Sequence, residues 1–103
     1  MKIIHTFLPV TYELDKRILY LMTASMLLAK KYYDNVVLYT DKKSAKIIRE
    51  IGLPYTEIND TLLDGANIGT FTVPKMFVYK EQKEPFLHID IDSLIFKKFN
   101  LLI

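Results

Sequence analysis

Asp90 and Asp92 are separated by one isoleucine and follow directly on the apolar run Phe86-Leu87-His88-Ile89. Inside a strand, two residues with one between them line the same face of the sheet. Just past a strand end the chain is free to turn, and both carboxylates can reach one ion. Like charges held this close repel and raise one pKa unless a cation compensates. Oxygen donors suit a hard divalent ion, Mn²⁺ or Mg²⁺, and two carboxylates leave most of an octahedral shell to water and to a ligand's phosphates. The competing reading is a strand-end turn with capping aspartates. Asp-x-Asp alone is common by chance; its place immediately after a buried strand gives it weight.

The elements that must position this pair alternate along the chain. Ile3 to Leu8 is a short apolar run ending at Pro9, as expected of a central parallel strand buried on both faces. A helix is expected over about 12–32, with Thr11 able to cap it and Glu13 and Asp15 in its first turn. Its stripe is Ile18, Met22, Ser25, Leu28-Ala29 and Tyr32, widened by Leu14, Leu21 and Leu27. Val36-Val37-Leu38-Tyr39 is a second strand. Thr40-Asp41 caps a second helix carrying Ala45, Ile48 and Ile51, which Gly52 and Pro54 stop. Tyr55 to Ile58 is a weaker third strand, Asn59 to Thr72 a polar, glycine-containing loop, and Pro74 opens a short helix through about Lys83. Phe86 to Ile89 is the fourth strand, and Leu94-Ile95-Phe96 can start another. Strand and helix alternating with short joins predict right-handed parallel crossovers and an α/β fold. Ligands of such sheets bind beyond the carboxyl ends of the strands, where Asp90 and Asp92 stand.

Composition narrows the function classes. The 103 residues suffice for one domain, 1–103, with half its residues apolar and a quarter charged, as in folded rather than disordered chains. Fourteen basic and 12 acidic residues leave a net charge of +2, too small and scattered in sequence to suggest a nucleic-acid surface. Lys30-Lys31, Lys42-Lys43 and Lys97-Lys98 read as solvated helix ends and edges. The absence of cysteine excludes disulfides, thiolate metal sites and thiol catalysis, and permits a reducing cytoplasm. The apolar N-terminus meets Pro9, Glu13, Asp15 and Lys16-Arg17 too early for a secretory signal. Ile18 to Ala29, about 12 residues, falls short of a membrane span and reads as a buried helix.

The run Pro85-Phe86-Leu87-His88-Ile89-Asp90-Ile91-Asp92-Ser93-Leu94-Ile95-Phe96 resembles the metal-motif region of a bacterial group of glycosyltransferase-like proteins. These are similar to the GT-A nucleotide-diphospho-sugar transferases. Val37-Leu38-Tyr39-Thr40-Asp41, Leu53-Pro54-Tyr55 and Lys75 also match that group. The likeness is most specific over 85–96 and diffuse elsewhere. It implies a Rossmann-like α/β/α sandwich with a mostly parallel sheet, of which this chain is the N-terminal half. It further implies a cytoplasmic protein that binds a nucleotide sugar, with uridine as the base, through Mn²⁺ or Mg²⁺.

By that resemblance Asp92 is the main metal ligand, and Asp90 faces the ribose or the metal's water shell. His5-Thr6-Phe7 at the first strand's end hold base and ribose, Thr40 and Asp41 close over the base, and Lys75 lies near the diphosphate or the Asp-x-Asp loop. The metal stabilises the departing nucleoside diphosphate. GT-A enzymes carry an acceptor site and any catalytic base further on, whereas 11 residues follow Asp92. Nucleotide-sugar binding is therefore expected more firmly than turnover, and the acceptor, a glycan for instance, stays open. Phe99 to Ile103 is expected to form an apolar edge prone to self-association or to a partner.

Several of these residues have plainer roles. His88 faces either core or site by strand alternation, and His5 is equally open. Asp41 is explained by a helix cap alone. Lys75 can be a solvated first-turn lysine, although the helix dipole disfavours it there. Asp64, Asn67 and Thr70 fit a closing lid without an assigned contact. Two other functions compete, and a purely structural protein is a third alternative. A haloacid-dehalogenase-like phosphatase also has Asp-x-Asp after a strand, but on its first strand and with threonine or valine where Leu94 stands. A non-catalytic module that binds a nucleotide or a partner shares every residue named.

Overall fold

The computed structural model describes residues 2–8, 16–63 and 78–91. Its elements are β1 (Lys2–Phe7), α1 (Lys16–Tyr32), β2 (Asn35–Thr40), α2 (Lys42–Ile51), β3 (Glu57–Asn59) and β4 (Phe86–His88). The sheet order is β3-β2-β1-β4, and every pairing among these strands is parallel. Register runs from Lys2↔Asn35 to Phe7↔Thr40 between β1 and β2, and from Lys2↔Phe86 to Ile4↔His88 between β1 and β4.

Alternation splits the core between the two faces of the sheet. Ile3 and Phe7 of β1, with Val36 and Leu38 of β2, pack against Ile18, Met22, Met26 and Ala29 of α1 and Ile48 of α2. Both helices thus cover one face, as right-handed crossovers stepping from β1 to β2 to β3 require. Ile4, Val37 and Tyr39 point the other way, onto Leu63 and Val78 from the connection that returns to β4. The result is a three-layer α/β/α arrangement around a parallel sheet.

Ile18, Met22, Ser25, Met26 and Ala29 form the buried stripe of α1. Full burial of Met22 and Met26 is worth roughly 1.5–3 kcal/mol each. The stripe is narrower than its sequence suggests. Leu27 is 50% and Leu21 37% exposed, because Leu27 comes half a turn round the helix from Ile18 and Leu21 lies on the stripe's flank. The described helix starts at Lys16; Thr11, Glu13, Leu14 and Asp15 lie outside the described residues.

Local chemistry bounds α2 as expected. Asp41 Oδ1 accepts the Ser44 N–H at 3.1 Å, which satisfies one of the helix's first free donors. Gly52 ends it at φ 85°, its N–H bonded to Arg49 O and Ile48 O, while the Leu53 N–H reaches back to Ile48 O. This pair of reversed bonds closes the last carbonyls and needs a left-handed residue, hence glycine. The third strand begins later than expected, at Glu57: Tyr55 turns into the core, and the Thr56 N–H reaches Val36 O at 2.8 Å. The segment after β3 is a turn built on Asn59, whose Oδ1 accepts from Thr61 N and Leu62 N. Residues 78–81 are helical, within the short helix expected before β4. The expected strand at Leu94–Phe96 and the C-terminal apolar edge lie outside the described residues. No helix among the described residues is long and apolar enough to cross a membrane.

Candidate functional site

The strand order makes a switch point. From β1 the chain steps outward to β2 and β3, then returns to place β4 on the opposite side of β1. In open α/β sheets the crevice outside the carboxyl ends of the strands at such a reversal is the general binding position. Thr6, Phe7, His88 and Asp90 gather at this end, with Thr40 and Asp41 at the adjoining end of β2.

Thr6 and His88 meet here. Thr6 Oγ1 lies 2.8 Å from His88 Nε2, and both side chains are half-buried on the face opposite α1. The Tyr79 ring meets the His88 imidazole edge-on, with centroids 5.4 Å apart. Sequence alternation left His88 between core and site; it stands at the mouth of the crevice, bonded to a residue expected to hold the nucleotide. Two residues on, Asp90 is exposed, between the buried Ile89 and Ile91.

His5 is placed differently. Its side chain is fully buried on the α1 face, with Nδ1 2.8 Å from the Tyr55 hydroxyl and Nε2 3.0 Å from Ser25 Oγ. One ring nitrogen donates and the other accepts, so both are used within the core. Burial above all, and then nearby His88, against an opposing effect of Asp90, lower its pKa from 6.5 to about 4. The imidazole is therefore neutral near pH 7. Burial likewise holds the Tyr55 phenol un-ionised.

The other expected contacts are also engaged locally. The Phe7 ring is core, while its carbonyl accepts the Thr40 hydroxyl at 2.7 Å, stitching the ends of β1 and β2 together. Asp41 is half-buried and caps α2. Lys75 and Asp92 lie outside the described residues, as do Asp64, Asn67 and Thr70. Among the described residues no three His, Cys, Asp or Glu side chains converge on one point. A hard cation held by two carboxylates and a ligand's phosphates does not require such a trio, and Asp90 offers the oxygen donor it prefers.

A second concavity, of about 350 Å³, lies at the opposite end of the sheet, lined by Lys2, Tyr33, Asn35 and Glu84 among others. Asn35 Oδ1 is buried there without a hydrogen-bond partner among the described residues, and Lys2 pairs with Glu84 at 3.5 Å. No residue expected from sequence to bind a ligand contributes to it.

Fold and crevice together define a small α/β domain of the general Rossmann-like kind. The chain belongs to the family of unknown function DUF6734, which it matches over residues 1–103. No curated protein and no solved structure matches it.

Proposed function

We propose that the crevice beyond β1 and β4 binds a nucleotide-diphospho-sugar, a UDP-sugar by the sequence resemblance, through Mn²⁺ or Mg²⁺, as the donor half of a GT-A-type glycosyl transfer in the cytoplasm. The observation that supports this most is the position of Asp90, exposed directly after β4 and next to the carboxyl end of β1. A carboxylate at a switch point is where a cation bridging protein and diphosphate is useful.

In this reading Asp90 and Asp92 hold the ion, and the Thr6 hydroxyl, fixed by His88, faces the ribose. Thr40 and Asp41 shape the base pocket through their bonds to Phe7 O and Ser44 N. Lys75 neutralises the diphosphate. The cation supplies charge stabilisation for the departing diphosphate. His5 contributes by fixing β1 to α1 rather than by touching the ligand.

Calorimetric titration of UDP into the purified chain, with Mn²⁺ and then with EDTA, tests the proposal. The expected result is binding that needs the metal and is lost in Asp92→Ala and in Asp90→Ala. Folded protein that binds in neither condition would overturn it, leaving carboxylates that cap a turn.

A further inference from the structure

The chain's small net charge conceals a strong separation of charge. α1 and α2 together hold eight of the 14 basic residues but only one of the 12 acidic ones, Glu50. The rest of the sequence is left with six basic against 11 acidic residues, so the sign reverses between these two helices and the remainder of the sequence. Both helices cover the same face of the sheet, which puts this positive charge on one side of the molecule.

Several of these cations have no carboxylate partner among the described residues. Lys30 donates to Pro54 O, and Arg49 pairs with Asp60 at 2.8 Å. Lys16, Arg17, Lys43 and Lys46 are exposed and have no carboxylate partner among the described residues. Between the cations α1 shows large apolar side chains: Tyr20 is 70% and Leu27 50% exposed, with Leu21 at 37% on the flank. Along α1, Arg17, Tyr20, Ala24, Leu27 and Lys31 follow one another at three- and four-residue steps, all exposed. They form one outward stripe, apolar at its centre and cationic at both ends, on a helix about 25 Å long.

We propose that the outer face of the α1–α2 layer docks on an anionic lipid bilayer, with α1 lying in the plane of the headgroups. Charge and apolarity together select this occupant. Anionic headgroups attract the cations, while the acyl boundary accepts Tyr20, Leu21 and Leu27 and lets the long cationic side chains reach back to the headgroups. A nucleic acid would take the cations but offers no host for the exposed leucines of α1. A second copy of this chain would oppose one positive face to another. The inference does not depend on what occupies the crevice.

Sedimentation of the full chain with vesicles tests it, comparing phosphatidylcholine alone with phosphatidylcholine mixed with phosphatidylserine, in EDTA and without nucleotide. Binding to the anionic vesicles should exceed that to neutral ones by about tenfold or more and weaken with added salt. The double variant Lys43→Glu/Lys46→Glu should lower it by about tenfold, and Tyr20→Ser/Leu27→Ser by severalfold. These positions are exposed, so circular dichroism should show both variants folded. Asp90→Ala, which addresses the crevice, should bind vesicles like the unaltered chain. Equal binding to both vesicle types overturns the proposal. So does indifference to either double variant, or dimerisation that buries the stripe without vesicle binding.

Discussion

Thr6 Oγ1 and His88 Nε2 lie 2.8 Å apart at the carboxyl ends of β1 and β4, joining residues 82 positions apart in sequence. The bond fastens the side chains of two neighbouring strands at the switch point. Thr6→Val keeps the shape but removes the hydroxyl, leaving a half-buried ring nitrogen without that partner. A loss of about 1 kcal/mol in urea denaturation is expected. If the crevice holds a ribose as proposed, UDP affinity in Mn²⁺ should fall as well, by more than the stability loss accounts for.

The buried His5 makes stability depend on acid. Its folded pKa, about 4, lies below the ordinary 6.5, so between those values the unfolded chain binds the extra proton. The stabilisation is complete above pH 6.5 and is lost as pH falls toward 4, by about 3 kcal/mol if His5 acted alone. Urea melts across this window should show the slope. His5→Asn, which has nothing to titrate, should flatten it while lowering stability at neutral pH.

The two ends of α2 should respond to single substitutions. Asp41→Ala removes the acceptor for the Ser44 N–H and should cost about 1 kcal/mol. A methyl group added at Gly52 meets nothing within 4 Å, so Gly52→Ala should cost only the strain of its positive φ, again about 1 kcal/mol. Gly52→Asn should cost less, since asparagine tolerates that region. Thermal melts of the three variants would check the ranking.

Neighbouring residues of α1 should behave in opposite ways. Met26 is fully buried against the sheet, and Met26→Ala should cost about 2–5 kcal/mol through the lost burial and the cavity left behind. Leu27, half exposed on the outer face, should change stability by no more than about 0.5 kcal/mol when replaced by alanine. Comparable losses at both positions would mean that something covers the outer face in solution.

Metal removal separates the crevice from the fold. EDTA should abolish UDP binding and leave the melting temperature of the nucleotide-free chain nearly unchanged, since the core and both caps use protein groups alone. A large drop in melting temperature would instead assign the cation a structural role.

What the sequence determined by itself are the features governed by near neighbours. The apolar runs around Ile3, Val36 and Phe86 specify strands, and Asp41 and Gly52 bound α2 through groups three to five residues away. The placement of Asp90 just past a strand was legible for the same reason. Tertiary structure alone decided which strands became neighbours. The β3-β2-β1-β4 order carries β4 back past β2 to the free edge of β1, and that choice turns Asp90 from a strand-end residue into one at a switch point. It also separated two histidines that alternation left equivalent, sending His5 into the core with Ser25 and Tyr55 and His88 to Thr6 at the crevice mouth. Lysines scattered through the sequence became one positive face only when both helices folded onto the same side of the sheet. Periodicity fixes which way a side chain points within its own element, but whether it meets core, ligand or solvent depends on what packs there, and those partners are supplied by distant parts of the chain.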